Sequence, residues 1–214
     1  MSKYVIVGGS ATGIGAIEAI REIDNVGDIT LISEEMCPYY SRPMISDFVS
    51  GKADLNKMKC REDNFWKKNK VSAIIGQKAV SLDLSAKKVT LEKDGLINFE
   101  KLLIATGGKP FIPKIKGDEK VGVFSFTTFS DAALLESEIE KLKNVIVVGG
   151  GLIGVSVTEA LVNRGLKVTM IELKDHILSL ILDNKSSEMI QKRIEEAGVT
   201  ILAGQTIKIS FYLI

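Results

Sequence analysis

Asn144-Val145-Ile146-Val147-Val148-Gly149-Gly150-Gly151-Leu152-Ile153-Gly154 is the stretch on which the fold turns. The apolar run has the form of a strand buried on both faces of a parallel sheet. The glycines after it permit a tight turn, and the small and apolar residues 154–163 read as a helix. Val168-Thr169-Met170-Ile171 then supplies a second strand. Together these make a βαβ unit with glycines at GxGxxG spacing. A diphosphate can settle on a helix N-terminus only where the backbone comes close without a β-carbon in the way; the helix N–H groups and dipole supply the attraction. Gly149, Gly151, Leu152, Ile153 and Gly154 are therefore expected to line such a site. Glu172 ends the second strand at about the twenty-residue offset from the turn where a carboxylate can hold a ribose 2′-hydroxyl. A carboxylate there repels the extra phosphate of NADP, so the motif predicts NAD(H).

The same pattern stands at the start of the chain. Tyr4-Val5-Ile6-Val7 is a strand-like run, Gly8-Gly9-Ser10-Ala11-Thr12-Gly13 a turn, residues 13–23 a helix with Ile14, Ile17 and Ile20 on one face, and Ile29-Thr30-Leu31-Ile32 the second strand. Here the middle glycine of the fingerprint is Ser10. Its side chain adds bulk where a diphosphate would approach, yet its hydroxyl could donate a hydrogen bond to that group. The acid is displaced too: Ser33 holds the position of Glu172, and Glu34 or Glu35 would take the ribose.

Between the repeats, residues 63–68 suggest a helix and residues 71–76 a strand. Residues 79–84, 87–93 and 96–99 alternate as an antiparallel meander would. Leu102-Leu103-Ile104-Ala105 reads as a further strand, and a segment holding two of the four prolines, Pro110 and Pro113, follows it. A linker is expected at 111–117, dividing a domain at 1–110 from one at 118–214. Residues 130–143 look helical with Ser130 as N-cap, and residues 186–197 form an amphipathic pattern stopped by Gly198. The fold class is α/β with two Rossmann-like dinucleotide-binding domains.

Composition narrows the function from the other side. The 214 residues carry a formal net charge of +1, with 45% hydrophobic and 26% charged side chains. No broad positive field favours nucleic acid, and no apolar stretch approaches the roughly 20 residues of a membrane helix. The first strand begins too early for a signal peptide, which predicts a cytoplasmic protein. Cys37, Cys60 and His176 form no ligand cluster, so no metal site is expected.

Leu103-Ile104-Ala105-Thr106-Gly107-Gly108-Lys109-Pro110, with Pro113-Lys114-Ile115-Lys116-Gly117 after it, resembles the pyridine nucleotide-disulfide oxidoreductase superfamily. Pro38-Tyr39-Tyr40-Ser41-Arg42-Pro43-Met44-Ile45-Ser46 is similar to its branch of NADH:rubredoxin and ferredoxin reductases, NADH oxidases and nitrite reductase flavin domains. The resemblance implies a second nucleotide fold inserted into the first, FAD extended across the first domain, and NADH docked on the second. Hydride would pass from NADH to FAD, and electrons onward to rubredoxin, ferredoxin, oxygen, a disulfide or a nitrite-reducing partner. It implies that Gly8, Ser10, Ala11 and Gly13 face the FAD diphosphate. Arg42 and Pro43 would lie along FAD, the Val80 backbone would reach the adenine, and Ala105, Thr106 and Gly107 would lie close to the cofactor.

Departures from the family pattern are specific. Many relatives carry a lysine after the Ser46 position and a glutamate two residues after Gly154, where this chain has Asp47 and Ser156. Cys37 adjoins Pro38, out of register with the single redox cysteine of coenzyme A disulfide reductases, so it reads as an ordinary small side chain. The apolar end Ser210-Phe211-Tyr212-Leu213-Ile214 resembles a cut within a domain, because family members continue with a closing Gly-Asp turn and a C-terminal domain that often mediates dimerisation. A non-catalytic nucleotide-binding module, or a subunit completed by another chain, is the alternative expectation.

Overall fold

The computed structural model describes residues 3–37, 39–93, 95–110, 112, 116–117 and 120–207. Along the chain run β1 (Lys3–Val7), α1 (Ala11–Ile23), β2 (Asp28–Ser33), a 3-10 turn (Arg42–Met44), α2 (Ile45–Val49), α3 (Leu55–Met58) and α4 (Phe65–Lys68). Next come β3 (Val71–Ile75), β4 (Ala79–Asp83), β5 (Lys88–Leu91), β6 (Leu96–Asn98), β7 (Lys101–Ile104) and α5 (Phe129–Glu138). β8 (Asn144–Val148), α6 (Leu152–Asn163), β9 (Lys167–Glu172), α7 (Asn184–Glu196) and β10 (Thr200–Ala203) complete the order. Two compact units result, Met1–Ser41 with Leu55–Lys109, and Arg42–Asp54 with Pro110–Ile214. Of the expected linker, Phe111 and residues 113–115 lie outside the described residues, as do Pro38 and the 208–214 end.

In the first unit a parallel sheet has the order β3-β2-β1-β7. Alternation along β1 divides its side chains between two cores. Tyr4 and Ile6 pack with Ile29 and Leu31 of β2, with Ile14 and Ile17 of α1, and with Phe65. Val5 packs on the opposite face with Ile32 and with Val89, Leu91 and Phe99 of the meander. Each fully buried isoleucine or leucine here contributes roughly 1.5–3 kcal/mol relative to exposure. The meander is antiparallel, β4-β5-β6, as its alternation predicted. Strand β1 lies between β2 and β7, so the turn after it opens at the point where strand order reverses, the place where open parallel sheets bind ligands.

The second unit carries the sheet β10-β9-β8, again parallel. Val168 and Met170 of β9 are buried together with Val157, Ala160 and Leu161 of α6. β8 departs from the expectation of burial on both faces: Ile146 is 49% and Val148 53% exposed. The reason is position, since among the described residues β8 is the edge of its sheet.

Helix boundaries needed correction at α5 and α7. The N-cap of α5 is Thr128, not Ser130, because Asp131 and Thr128 exchange hydrogen bonds as a capping box. The Asp131 carboxylate also accepts from the Thr127 N–H (2.9 Å) and the Ser125 hydroxyl (2.8 Å). α7 starts two residues earlier than expected, capped by Asp183. Among the described residues no helix is long and apolar enough to cross a membrane.

Candidate functional site

The two glycine turns repeat each other atom for atom along the backbone. Gly149 N–H donates to the Ile171 carbonyl and Gly8 N–H to the Ile32 carbonyl, both at 2.8 Å. Each therefore ties the end of the first strand to its parallel neighbour. A β-carbon on Gly154 would stand 1.9 Å from the Gly149 carbonyl oxygen, and one on Gly13 1.9 Å from that of Gly8. The third glycine thus lets the helix pack directly on the turn. Gly8 itself has φ +123 and abuts the Ala105 carbonyl, which a β-carbon would approach to 2.1 Å. This close fit brings Ala105, and with it Thr106 and Gly107, to the first turn.

The middle position behaves differently. Gly151 is the N-cap of α6 with φ −78 and ψ −175, and Ser10 is the N-cap of α1 with φ −89 and ψ −166. Both are extended conformations that any L-residue adopts. Serine at position 10 therefore strains nothing in the backbone. A β-carbon at Gly151 would meet nothing within 4 Å. The Ser10 hydroxyl makes no capping hydrogen bond, and neither helix has an acidic residue in its first turn. Both N-termini accordingly offer uncompensated N–H groups and dipole to an anion, at Ala11 in the first turn and at Leu152 and Ile153 in the second. A dinucleotide diphosphate fits these features.

The acids divide along the same line. One carboxylate oxygen of Glu172 accepts the Gly150 N–H and the other the Lys174 N–H (2.7 Å). An ionised carboxylate has about four acceptor sites, so both ribose hydroxyls can still be held. In the first unit, Glu34 forms an exposed pair with Lys78 at 3.5 Å, its side chain 63% exposed. Glu35 is held instead by the hydroxyl of buried Tyr40, which donates to it at 2.6 Å. Tyr40 stands in the branch-like motif at 38–46, but nothing in the sequence pairs it with Glu35. The connecting loop is fixed further by Tyr39 N–H to the Gly9 carbonyl (3.0 Å) and Gln77 N–H to the Ser33 carbonyl (3.0 Å).

Val80 is the extra residue of a β-bulge between Ala79 and Ser81, where pairing with β5 shifts register. A bulged residue is left out of the ladder, so its peptide groups can face another partner. Gln77, on the same approach, keeps a buried Oε1 without a hydrogen-bond partner.

Arg42 and Pro43 group with the second compact unit. Arg42 donates to the Thr127 carbonyl (3.2 Å), Phe48 stacks obliquely on Phe129 (5.0 Å), and Arg164 donates to the Val49 carbonyl (3.2 Å). The helix carrying Asp47 packs on α6, which carries Ser156. A cation–anion link between these segments exists further out, Lys52 to Glu159 at 3.1 Å.

Burial pushes the Cys37 thiol above its ordinary range, with Lys59 pulling the other way. A raised thiol is a poor nucleophile. Trp66 packs edge-on against Tyr39 (5.1 Å) and Phe65 (5.2 Å).

Comparison with known proteins identifies the family. The family model for pyridine nucleotide-disulphide oxidoreductases matches residues 2–210. The epsilon subunit of NADH-dependent phenylglyoxylate dehydrogenase from Aromatoleum evansii is 35% identical over 96% of the chain, and rubredoxin-NAD(+) reductase from Pseudomonas putida 30% over 91%. The chain spans 49% and 51% of these relatives, about half their length. Among solved structures, an NAD-dependent persulfide reductase from A. fulgidus superposes with TM-score 0.91 at 27% identity, covering 97% of this chain and 41% of that one. A water-forming NADH oxidase from Lactobacillus brevis, bound to NADH, shares the fold with TM-score 0.90 at 23% identity, over 96% of this chain and 47% of that one. With a family match over nearly its whole length, the chain belongs to the pyridine nucleotide-disulphide oxidoreductase family, a family of enzymes.

Proposed function

We propose that this chain carries the FAD and NADH sites of a flavin-dependent oxidoreductase that oxidises NADH and delivers electrons to a redox acceptor. The observation that carries the reading is the doubled turn: identical backbone bonds, with an open GxGxxG and a preset carboxylate in one copy and a serine-substituted turn in the other. FAD, when bound, supplies the redox chemistry, accepting two electrons from NADH and releasing them to the acceptor. The protein's part is placement. In the second unit Gly149, Gly151, Leu152, Ile153 and Gly154 hold the NADH diphosphate and Glu172 its ribose. In the first, Gly8, Ser10, Ala11 and Gly13 hold the FAD diphosphate, the Ser10 hydroxyl adding a donor that glycine lacks. Glu35 or Glu34 takes the FAD ribose, Val80 the adenine, and Ala105, Thr106 and Gly107 flank the first turn.

Part of this reading is a domain plan with 1–110 on the FAD side, 118–214 on the NADH side and the second fold inserted into the first. Arg42 and Pro43 lie along FAD in this reading. The relatives named above are linked by their names to phenylglyoxylate oxidation and to rubredoxin, which supports a protein or catalytic-subunit acceptor. A cytoplasmic setting is part of the proposal.

The test is NADH titration of the 214-residue chain followed by nicotinamide fluorescence. Glu172→Ala should weaken NADH at least about tenfold, the equivalent of 1.4 kcal/mol, and leave FAD content unchanged. Unaltered NADH affinity would remove the second unit as the NADH site.

A further inference from the structure

Both polar groups of the Gly150 backbone are already engaged. Its N–H goes to Glu172, and its carbonyl accepts the Leu178 N–H at 2.8 Å. The connection from β9 to α7 therefore touches the glycine turn from behind. Ile177 is fully buried, and its Cγ2 lies so close that a β-carbon on Gly150 would stand 2.8 Å from it. Leu178 is held at φ +54, a conformation rare for a branched side chain, which persists only where the surroundings fix it. Its carbonyl accepts from Ile181 (2.9 Å) and Leu182 (3.0 Å). What anchors this corner is Ser187, fully buried near the start of α7, whose hydroxyl donates to the Ile177 carbonyl at 2.7 Å. A buried hydroxyl aimed ten residues back along the chain does no capping for its own helix.

We infer that Ser187 is a positioning residue for NADH. It fixes Ile177 and Leu178 against Gly150, and Gly150 in turn fixes the Glu172 carboxylate, so that turn and acid stand assembled before the nucleotide arrives. Preassembly of this kind raises affinity by removing an ordering step from binding. The inference rests on the reading of the second unit as the NADH site.

The experiment is a double-mutant cycle on NADH affinity in the 214-residue chain, with FAD content and the thermal transition measured alongside. Ser187→Ala should weaken NADH three- to thirtyfold with FAD content unchanged. Its effect should be clearly less than additive with Glu172→Ala, because both act through Gly150. Unchanged NADH affinity in a cooperatively folded Ser187→Ala protein overturns the inference, and so does full additivity with Glu172→Ala. If Glu172→Ala alone leaves NADH binding intact, it is the NADH reading that fails. Should Ser187→Ala not fold, Ile177→Leu replaces it in the same cycle. That change removes the Cγ2 at Gly150 with volume kept, and undiminished NADH affinity in it overturns the inference equally.

Discussion

Gly154 and Gly151 belong to one fingerprint but should respond to the same substitution in opposite ways. A β-carbon on Gly154 would sit 1.9 Å from the Gly149 carbonyl oxygen, 1.1 Å inside the 3.0 Å that real β-carbons respect. The obstacle is backbone and cannot rotate aside, so α6 or the turn must move. Overpacking costs about 1–3 kcal/mol, and an immovable neighbour places Gly154→Ala near the upper end, ~3 kcal/mol. At about 2–4 °C per kcal/mol for a chain of this size, Tm should fall by roughly 6–12 °C. At Gly151 a β-carbon meets nothing within 4 Å and φ is −78. There alanine is a poorer N-cap than glycine, but it also restricts the unfolded chain; the two effects are of similar size and opposite sign. Gly151→Ala should leave Tm within about 2 °C while raising the NADH Kd about tenfold or more, or at least 1.4 kcal/mol. Differential scanning calorimetry and NADH titration on both variants give four numbers. A Gly154→Ala protein that melts with the parent, or a Gly151→Ala protein that melts low and binds normally, would refute the division of labour argued here.

Two further outcomes follow from the side chains around the acids. Tyr40→Phe removes a buried hydroxyl from a carboxylate, a charge-assisted bond worth about 1.5–3 kcal/mol; it should weaken FAD about tenfold by apoprotein titration, whereas Glu34→Gln should change little. The reverse ranking would move the ribose contact to Glu34. For Asp131, burial raises the carboxyl, but the Thr127 and Thr128 N–H groups and the Ser125 and Thr127 hydroxyls outweigh it, so its pKa is lowered on folding. A group depressed in the folded state contributes above its unfolded pKa, about 3.9, and loses that contribution as pH falls through the lower folded value. Urea melts should show Asp131→Asn costing about 0.5–2 kcal/mol at pH 7 and progressively less below pH 4; an equal cost at both ends would contradict the assignment.

The strands and helices of both repeats were legible because each rests on local chemistry: apolar runs, glycine spacing and helical periodicity. The meander was legible for the same reason. The N-cap of α5 is also written locally, because Thr128 has Asp131 three residues on, the capping-box spacing, whereas Ser130 has Ala133 there. The grouping of residues 42–54 with the second unit was not legible, since it depends on Arg164 and Phe129, far away along the chain.

The sequence by itself determined the two βαβ units, the glycine turns and the presence of an acid after each, because glycine's missing β-carbon and the strand–helix periods are written in residues close together along the chain. Tertiary structure alone decided which atoms make those glycines obligatory. It put carbonyl oxygens against Gly8, Gly13 and Gly154 and left open space over Gly151. It also separated Glu35, fixed by Tyr40, from Glu34, and set Ser187 and Ile177 behind Gly150. Those distinctions come from contacts between residues up to some hundred positions apart, and packing distance is not written in local spacing.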